Sequence, residues 1–190
     1  VTLGLNDVYK MQRMVMNILD VQKMEEGKIN IYREETDLSE LAQGEIMSLK
    51  GLLAMKSINI LFDGEPRVLF VDRNLISRTI SNFLLNALEH SPDGKQIKVI
   101  VRYDAGKKET SVSVADEGPG IPDDMKDKVF EKFFQIEAGK MYRKTTTGLG
   151  LTFCEFVVLA HGGRLWVEDN EGGGSRFVFT LPETVKGVIT

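Results

Sequence analysis

Thr110–Asp124 reads TSVSVADEGPGIPDD, an alternating apolar and polar run that stops at one acid and gives way to a Gly-Pro-Gly turn. Val112 and Val114 at a spacing of two predict a half-buried strand ending at Asp116. Gly118 and Gly120 then remove side chains where something must come close to the backbone, while Pro119 and Pro122 stiffen the turn. A carboxylate fixed at a strand end is an acceptor pair with a set aim, able to receive an exocyclic amine. The same residues also suit an ordinary turn capped by Asp116.

The chain around this stretch is that of a globular protein. It has 190 residues, 42% hydrophobic and 27% charged, enough to bury one good core. A net charge of −4 with both signs interspersed argues against non-specific binding to nucleic acid. Cys154 is the lone cysteine, so no internal disulfide forms, which fits a reducing compartment. No apolar run approaches the roughly 20 residues a membrane helix needs, and no charged-then-apolar leader is present. The expected setting is cytoplasmic, and a start at VTLGLND without methionine suggests a fragment whose full-length protein could be membrane-anchored.

Before the strand, Leu5, Val8, Met11, Val15 and Ile18 form a helical stripe from Leu5 to about Glu26 that Gly27 can end. It is either a core helix or part of a helical hairpin or dimer seam. KINIYREETDL is extended, and Ser39 to about Lys56 reads as one helix capped at Asp37 or Ser39. SINILFDGE and RVLFVD read as short strands joined by a turn at Gly64–Pro66, after which Asp72 caps a strong helix, RNLISRTISNFLLNALEHS. KQIKVIVRYD and KETSVSVAD flank a turn at Gly106. A short helix around Asp123–Phe133, a polar segment to Thr147, a helix GLGLTFCEFVVLAHG and a hairpin, GRLWVED and SRFVFTLP turned by NEGGG, complete the pattern. The order predicts an α+β fold, a two-layer sandwich with helices on one face of a mixed, mostly antiparallel sheet, preceded by one N-terminal helix.

Two further stretches carry chemistry. On the central helix Ile76, Ile80, Phe83, Leu84 and Ala87 share one face, and Asn82, Asn86, Glu89 and His90 share another. Asparagine is an indifferent helix former, so a pair one turn apart serves a solvated face, satisfies a buried backbone group, or offers oxygen to Mg²⁺. In KTTTGLGLTF, Gly148 and Gly150 leave backbone N–H groups unencumbered just before an apolar helix, a natural anion site that is neither a Walker loop nor a dinucleotide fingerprint. Lys140, Arg143 and Lys144 lie just upstream. A flexible loop with a simple cap is the plainer alternative.

In order, SNFLLNALEHS, DEGPGIP, VFEKFF and TTTGLGL, followed by HGGRLWVED and GSRFVFTLP, resemble the asparagine, first glycine, phenylalanine and second glycine boxes of the catalytic domain of sensor histidine kinases. That domain shares a superfamily with gyrase, the Hsp-type chaperones and the mismatch-repair ATPases. The resemblance runs from about Thr36 to Glu183, and MVMNILDVQKMEEGKINIYREETDL looks like the end of a dimerisation-domain helix. It implies residues 1–30 as helix end and linker, 31–185 as a Bergerat-type catalytic ATP-binding domain, and 186–190 as a tail.

The resemblance also assigns roles. Asn86 would hold Mg²⁺, Asn82 would support the same face, and Asp116 would accept from the adenine amine, with Gly118 and Gly120 letting the base lie close. Phe130, Phe133 and Phe134 would anchor a lid over about Gln135–Thr147, and Gly148, Leu149 and Gly150 would wrap the phosphates of ATP. Glu89 stands where the family often has a cation, so His90, Arg143 and Lys144 must carry more of the charge, with Arg143 and Lys144 as candidate γ-phosphate contacts and Thr147 beside them. Thr146 stands where the second glycine box usually begins.

Neither His90 nor His161 fits the family's phosphoacceptor, and His161 reads as a structural helix end. The implied function is transfer of the ATP γ-phosphate to a histidine on the protein's own dimerisation domain, as a homodimer, and then to the receiver domain of a response regulator. One rival is a hydrolase using water, disfavoured because Asn82, an amide, stands where the gyrase-like branch has its water-activating glutamate. Another is a module that binds nucleotide only to change shape.

Overall fold

The computed structural model describes residues 15–136 and 148–183. The described part of the first helix, α1, covers 15–25. It is followed by β1 (Glu34–Asp37), α2 (Leu38–Ser48), α3 (Lys50–Met55), β2 (Asn59–Gly64) and β3 (Val68–Val71). Then come α4 (Arg73–His90), β4 (Gln96–Asp104), β5 (Glu109–Ala115), two 3₁₀ turns (Asp123–Met125 and Lys128–Phe130), α5 (Gly150–Ala160), β6 (Arg164–Asp169) and β7 (Ser175–Pro182).

Five strands form one sheet in the order β2-β4-β5-β7-β6, with β2 parallel to β4 and the other pairs antiparallel. Alternation buries Ile97, Val99, Val101, Val112, Val114, Phe177 and Phe179 on one face. The predicted apolar stripe of α4 lies on that face. Its residues Ile76, Ile80, Phe83, Leu84 and Ala87 are all buried, and the Phe83 ring meets Phe177 at 5.4 Å and Phe179 at 5.9 Å. Beside α4 packs α5, and the result is the predicted α+β sandwich.

Both acids read as helix caps serve that purpose. Asp37 accepts from Ser39 N at 2.8 Å and Glu40 N at 3.1 Å, and Asp72 Oδ1 accepts from Leu75 N at 3.0 Å.

The region between them departs from the sequence reading in two ways. The expected single helix over 39–56 breaks at Leu49, whose N–H turns back to Ile46 O at 3.2 Å. Ser48 Oγ donates to Glu45 O at 2.7 Å, the local competition by which serine loosens a helix, and Leu49 is drawn into the core. The strands around Gly64–Pro66 also part company. β2 joins the main sheet beside β4, whereas β3 pairs with β1 in a two-stranded sheet. A third difference lies beyond β5, where the expected helix over Asp123–Phe133 is two separate 3₁₀ turns.

α1 is tied to the domain by its polar side. Arg78 of α4 pairs with Asp20 at 2.6 Å, donates to Asn17 Oδ1 at 3.2 Å and lies 4.2 Å over the Phe153 ring of α5. Lys132 pairs with Glu25. Val21 is buried while Val15, Met16 and Leu19 are exposed, so only part of the apolar stripe faces this domain. Among the described residues no helix is long and apolar enough to cross a membrane.

Candidate functional site

Burying the apolar stripe of α4 leaves Asn82, Asn86, Glu89 and His90 along one flank. Asn82 is only 8% exposed, and its Nδ2 donates to Gly150 O at 3.4 Å, which brings the asparagine helix to the first turn of α5. A methyl carbon at Gly150 would lie 3.4 Å from Asn82 Oδ1, so a small residue suits this contact. Asn86 and Glu89 are half-buried, and His90 is exposed at the helix end.

Asp116 stands where β5 ends, 2% exposed. Its Oδ1 accepts from Gly118 N at 2.8 Å and from Ser175 N at 3.2 Å. Both bonds fall on one oxygen, leaving Oδ2 with none among the described residues. Burial pushes the carboxyl above the usual carboxylate range, while the two N–H bonds and the charge of His90 oppose that rise. The end of α4 meets the glycine turn where the His90 carbonyl lies beside Gly118.

The glycines are required by this proximity. A methyl carbon at Gly118 would sit 2.8 Å from Asp116 Oδ1 and 2.9 Å from the His90 carbonyl oxygen. Gly174, on the β6–β7 turn, has φ +94°, and a methyl there would come within 2.2 Å of Asp116 O. Asn170 Nδ2 donates to that same carbonyl at 2.9 Å. Asn170, Gly174 and Ser175 thus hold the acid from behind, a role the sequence reading missed because NEGGG signals only a turn.

The second glycine box is partly visible. Gly148 has φ +67°, and its carbonyl accepts from Phe133 N at 3.1 Å. Leu149 is buried and precedes α5, whose start is capped by no described side chain. Phe130 is buried edge-on to Phe177 at 6.4 Å, and Phe134 packs against the core. The ring of Phe133, by contrast, is 68% exposed, and its residue has φ 60°. At 133 it is therefore the main chain, not the ring, that ties this segment down. Lys140, Arg143, Lys144, Thr146 and Thr147 lie outside the described residues.

His161 is the structural helix end the sequence suggested. Its Nδ1 donates to Val157 O at 2.7 Å, and its Nε2 accepts from Asp72 N at 3.0 Å. Asp72 Oδ2 in turn accepts from Tyr32 N at 2.9 Å.

Among the described residues no three His, Cys, Asp or Glu side chains converge to hold a metal. Asparagine oxygens with few protein carboxylates suit Mg²⁺, which keeps waters and leans on substrate phosphates. The unbonded Oδ2 of a buried acid, beside glycines with no room for a methyl, likewise fits a flat base carrying an amine. A depression of about 370 Å³ is lined by Pro119, Gly120, Ile121 and Pro122 with Asp169, Asn170, Gly173 and Gly174, and by no residue of α4.

Comparison with known proteins agrees with this arrangement. The profile described as "Histidine kinase-, DNA gyrase B-, and HSP90-like ATPase" matches residues 71–185. The adaptive-response sensory kinase SasA of Crocosphaera subtropica is 31% identical over 179 residues, covering 93% of this chain and 46% of that protein. The chain thus spans about half the length of this curated relative. The nucleotide-free catalytic domain of histidine kinase ThkA superposes with a TM-score of 0.72 at 28% identity, covering 80% of this chain and 96% of that one. ThkA in complex with the response regulator protein TrrA gives 0.74 at 25% identity, covering 97% of this chain and 50% of that one. The chain belongs to the family of histidine kinase-, DNA gyrase B- and HSP90-like ATPases, and the relatives and solved structures it is similar to are sensory and histidine kinases.

Proposed function

We propose that this chain binds Mg-ATP among α4, the turn after β5 and the start of α5. It then passes the γ-phosphoryl group to a histidine on the dimerisation domain of the same protein, for relay to an aspartate of a response regulator. The observation that carries the proposal is Asp116, a buried acid with one oxygen engaged by two N–H groups and the other without a bond among the described residues. An acceptor held in this way selects a base with an amine over one with a carbonyl, and a hydrogen bond to a charged group contributes roughly 1.5–3 kcal/mol.

The remaining roles follow the chemistry of each residue. Gly118 and Gly120 keep the wall beside the base bare. Asn86 would offer its amide oxygen to Mg²⁺, with Asn82 fixing the same helix against Gly150. The N–H groups at Gly148, Leu149 and Gly150 and the positive end of α5 would face the phosphates, with Arg143, Lys144 and Thr147 just upstream in sequence and His90 as a further contact. ATP supplies the transferable phosphoryl group, and the protein supplies position and charge. Asn82 cannot accept a proton from water, which favours transfer to an amino-acid side chain over hydrolysis.

Residues 1–30 would then be the end of a dimerisation helix and linker, 31–185 the catalytic domain and 186–190 a tail, with the domain working in the cytoplasm. The ThkA–TrrA complex supports a receiver domain as the final acceptor. The test supplies γ-labelled ATP, Mg²⁺ and the dimerisation domain of the parent protein. Acid-labile, base-stable label on histidine is the expected result. Free phosphate alone would identify a hydrolase, and neither product would leave a nucleotide-responsive module.

A further inference from the structure

α4 ends against a proline. Ser91 N donates to Ala87 O at 2.9 Å, but the next donor in the ladder would be residue 92, and Pro92 has no N–H to give Leu88 O. That place is taken by a side chain from another helix. Lys56, just past α3, donates from Nζ to Leu88 O at 2.7 Å and to Ser91 O at 2.8 Å, with Glu89 O at 3.5 Å. Its own carbonyl accepts from Gly94 N at 2.9 Å, so the residue grips the 91–94 loop by main chain and side chain alike. An ammonium has three donors around one compact charge, suited to a cluster of carbonyls at the negative end of a helix.

The stretch so held, Leu88 to Ser91, ends the helix that carries Asn86 one half-turn earlier, and it includes His90, whose carbonyl lies where a methyl on Gly118 would collide with it. Asp116 is anchored elsewhere, by Ser175 and Gly118.

We infer that Lys56 is a positioning residue for the metal-binding half of the nucleotide site, setting Asn86 and the end of α4 against the glycine turn without touching the nucleotide. The inference rests on the proposed Mg-ATP site. Its signature is therefore selective. Losing Lys56 loosens the part of the site that uses Mg²⁺, while the adenine end, held by β5 and β7, keeps its grip.

Calorimetry on the whole chain, with ATP in Mg²⁺ and in EDTA, gives the ratio of the two dissociation constants. In the wild type Mg²⁺ should tighten binding. Lys56→Met should shrink that ratio by about tenfold, the effect of leaving buried carbonyls without a donor, with binding in EDTA changed far less. Lys56→Arg, which keeps the charge, should recover most of the ratio. A folded Lys56→Met protein with an unchanged ratio, or one weakened equally in both buffers, overturns the inference. Should Lys56→Met fail to fold, Lys56→Gln, which keeps two N–H donors but no charge, should still lower the ratio by about fivefold, and an unaltered ratio there is equally fatal. A wild type that binds no ATP defeats the proposed function instead.

Discussion

Asp116 and Ser175, 59 residues apart in sequence, bind each other twice. The main-chain N–H of Asp116 donates to Ser175 O at 2.8 Å, and Ser175 N donates back to the Asp116 carboxylate at 3.2 Å. The acid proposed to recognise adenine is thus fixed by the strand that pairs with its own as well as by Gly118 N in the loop that follows it.

Asp116→Asn should separate binding from stability. The amide can still accept at Oδ1 from Gly118 and Ser175, but its other end becomes a donor facing the adenine amine. ATP affinity should drop about tenfold to a hundredfold by calorimetry. Because the folded carboxyl titrates above its unfolded value of 3.8, its ionised form detracts from stability at pH 7. The nucleotide-free variant should therefore melt no lower than the wild type. Undiminished affinity would remove Asp116 from the site.

Asn86→Ala should abolish most of the Mg²⁺ enhancement of ATP binding while sparing the fold, since the residue is half-buried on the flank opposite the apolar stripe. Dissociation constants measured with Mg²⁺ and with EDTA should converge to within about twofold. A ratio equal to that of the wild type would exclude the amide as a ligand.

His161 predicts an acid-sensitive fold. Burial lowers its pKa below 6.5, with nearby Arg33 acting the same way and the Val157 bond and Asp72 opposing. Neutral imidazole accepts from Asp72 N, and protonation would destroy that bond. For a histidine with a depressed folded pKa, the stabilisation is complete above pH 6.5 and fades as pH falls through the folded value. The wild-type Tm should drop by several degrees between pH 7 and pH 5, and His161→Gln, which can accept but not titrate there, should show a shallower slope. Parallel slopes would show that other groups govern the acid response.

Gly174→Ala places a methyl 2.2 Å from Asp116 O at φ +94°. Strain of this kind amounts to about 1–3 kcal/mol, so urea denaturation should register a clear loss of stability. ATP affinity should fall with it, because the carbonyl displaced belongs to Asp116. Gly172→Ala, with open space around it, serves as the control and should change neither.

Much of this was legible because it is local. Asp37 and Asp72 announce helix starts through their own side chains, and the stripe from Ile76 to Ala87 needs only a period of 3.6 to declare its buried face. The flank with Asn82 and Asn86 follows from the same period. What escaped depends on distant partners. Nothing near NEGGG tells that Asn170 and Ser175 brace an acid more than fifty residues earlier. The pairing of β3 with β1 joins strands more than thirty residues apart, and the break at Leu49 comes with a serine turning on its own helix. Phe133 reads as one of three anchors for a lid, yet its backbone is left-handed and its side chain largely exposed.

The sheet order β2-β4-β5-β7-β6 makes the last described strand in the chain an interior one. A ribosome would therefore release most of this domain before its centre could close. Until β7 emerges, β5 and β6 have no common neighbour, and Asp116 waits without Ser175. Long-range pairing of this kind slows folding and leaves strand edges open in the interim. A nascent chain stopped short of Ser175 would carry the asparagines of α4 but lack the strand that braces Asp116, so the proposed site for the base would be completed only when the last described strand arrives.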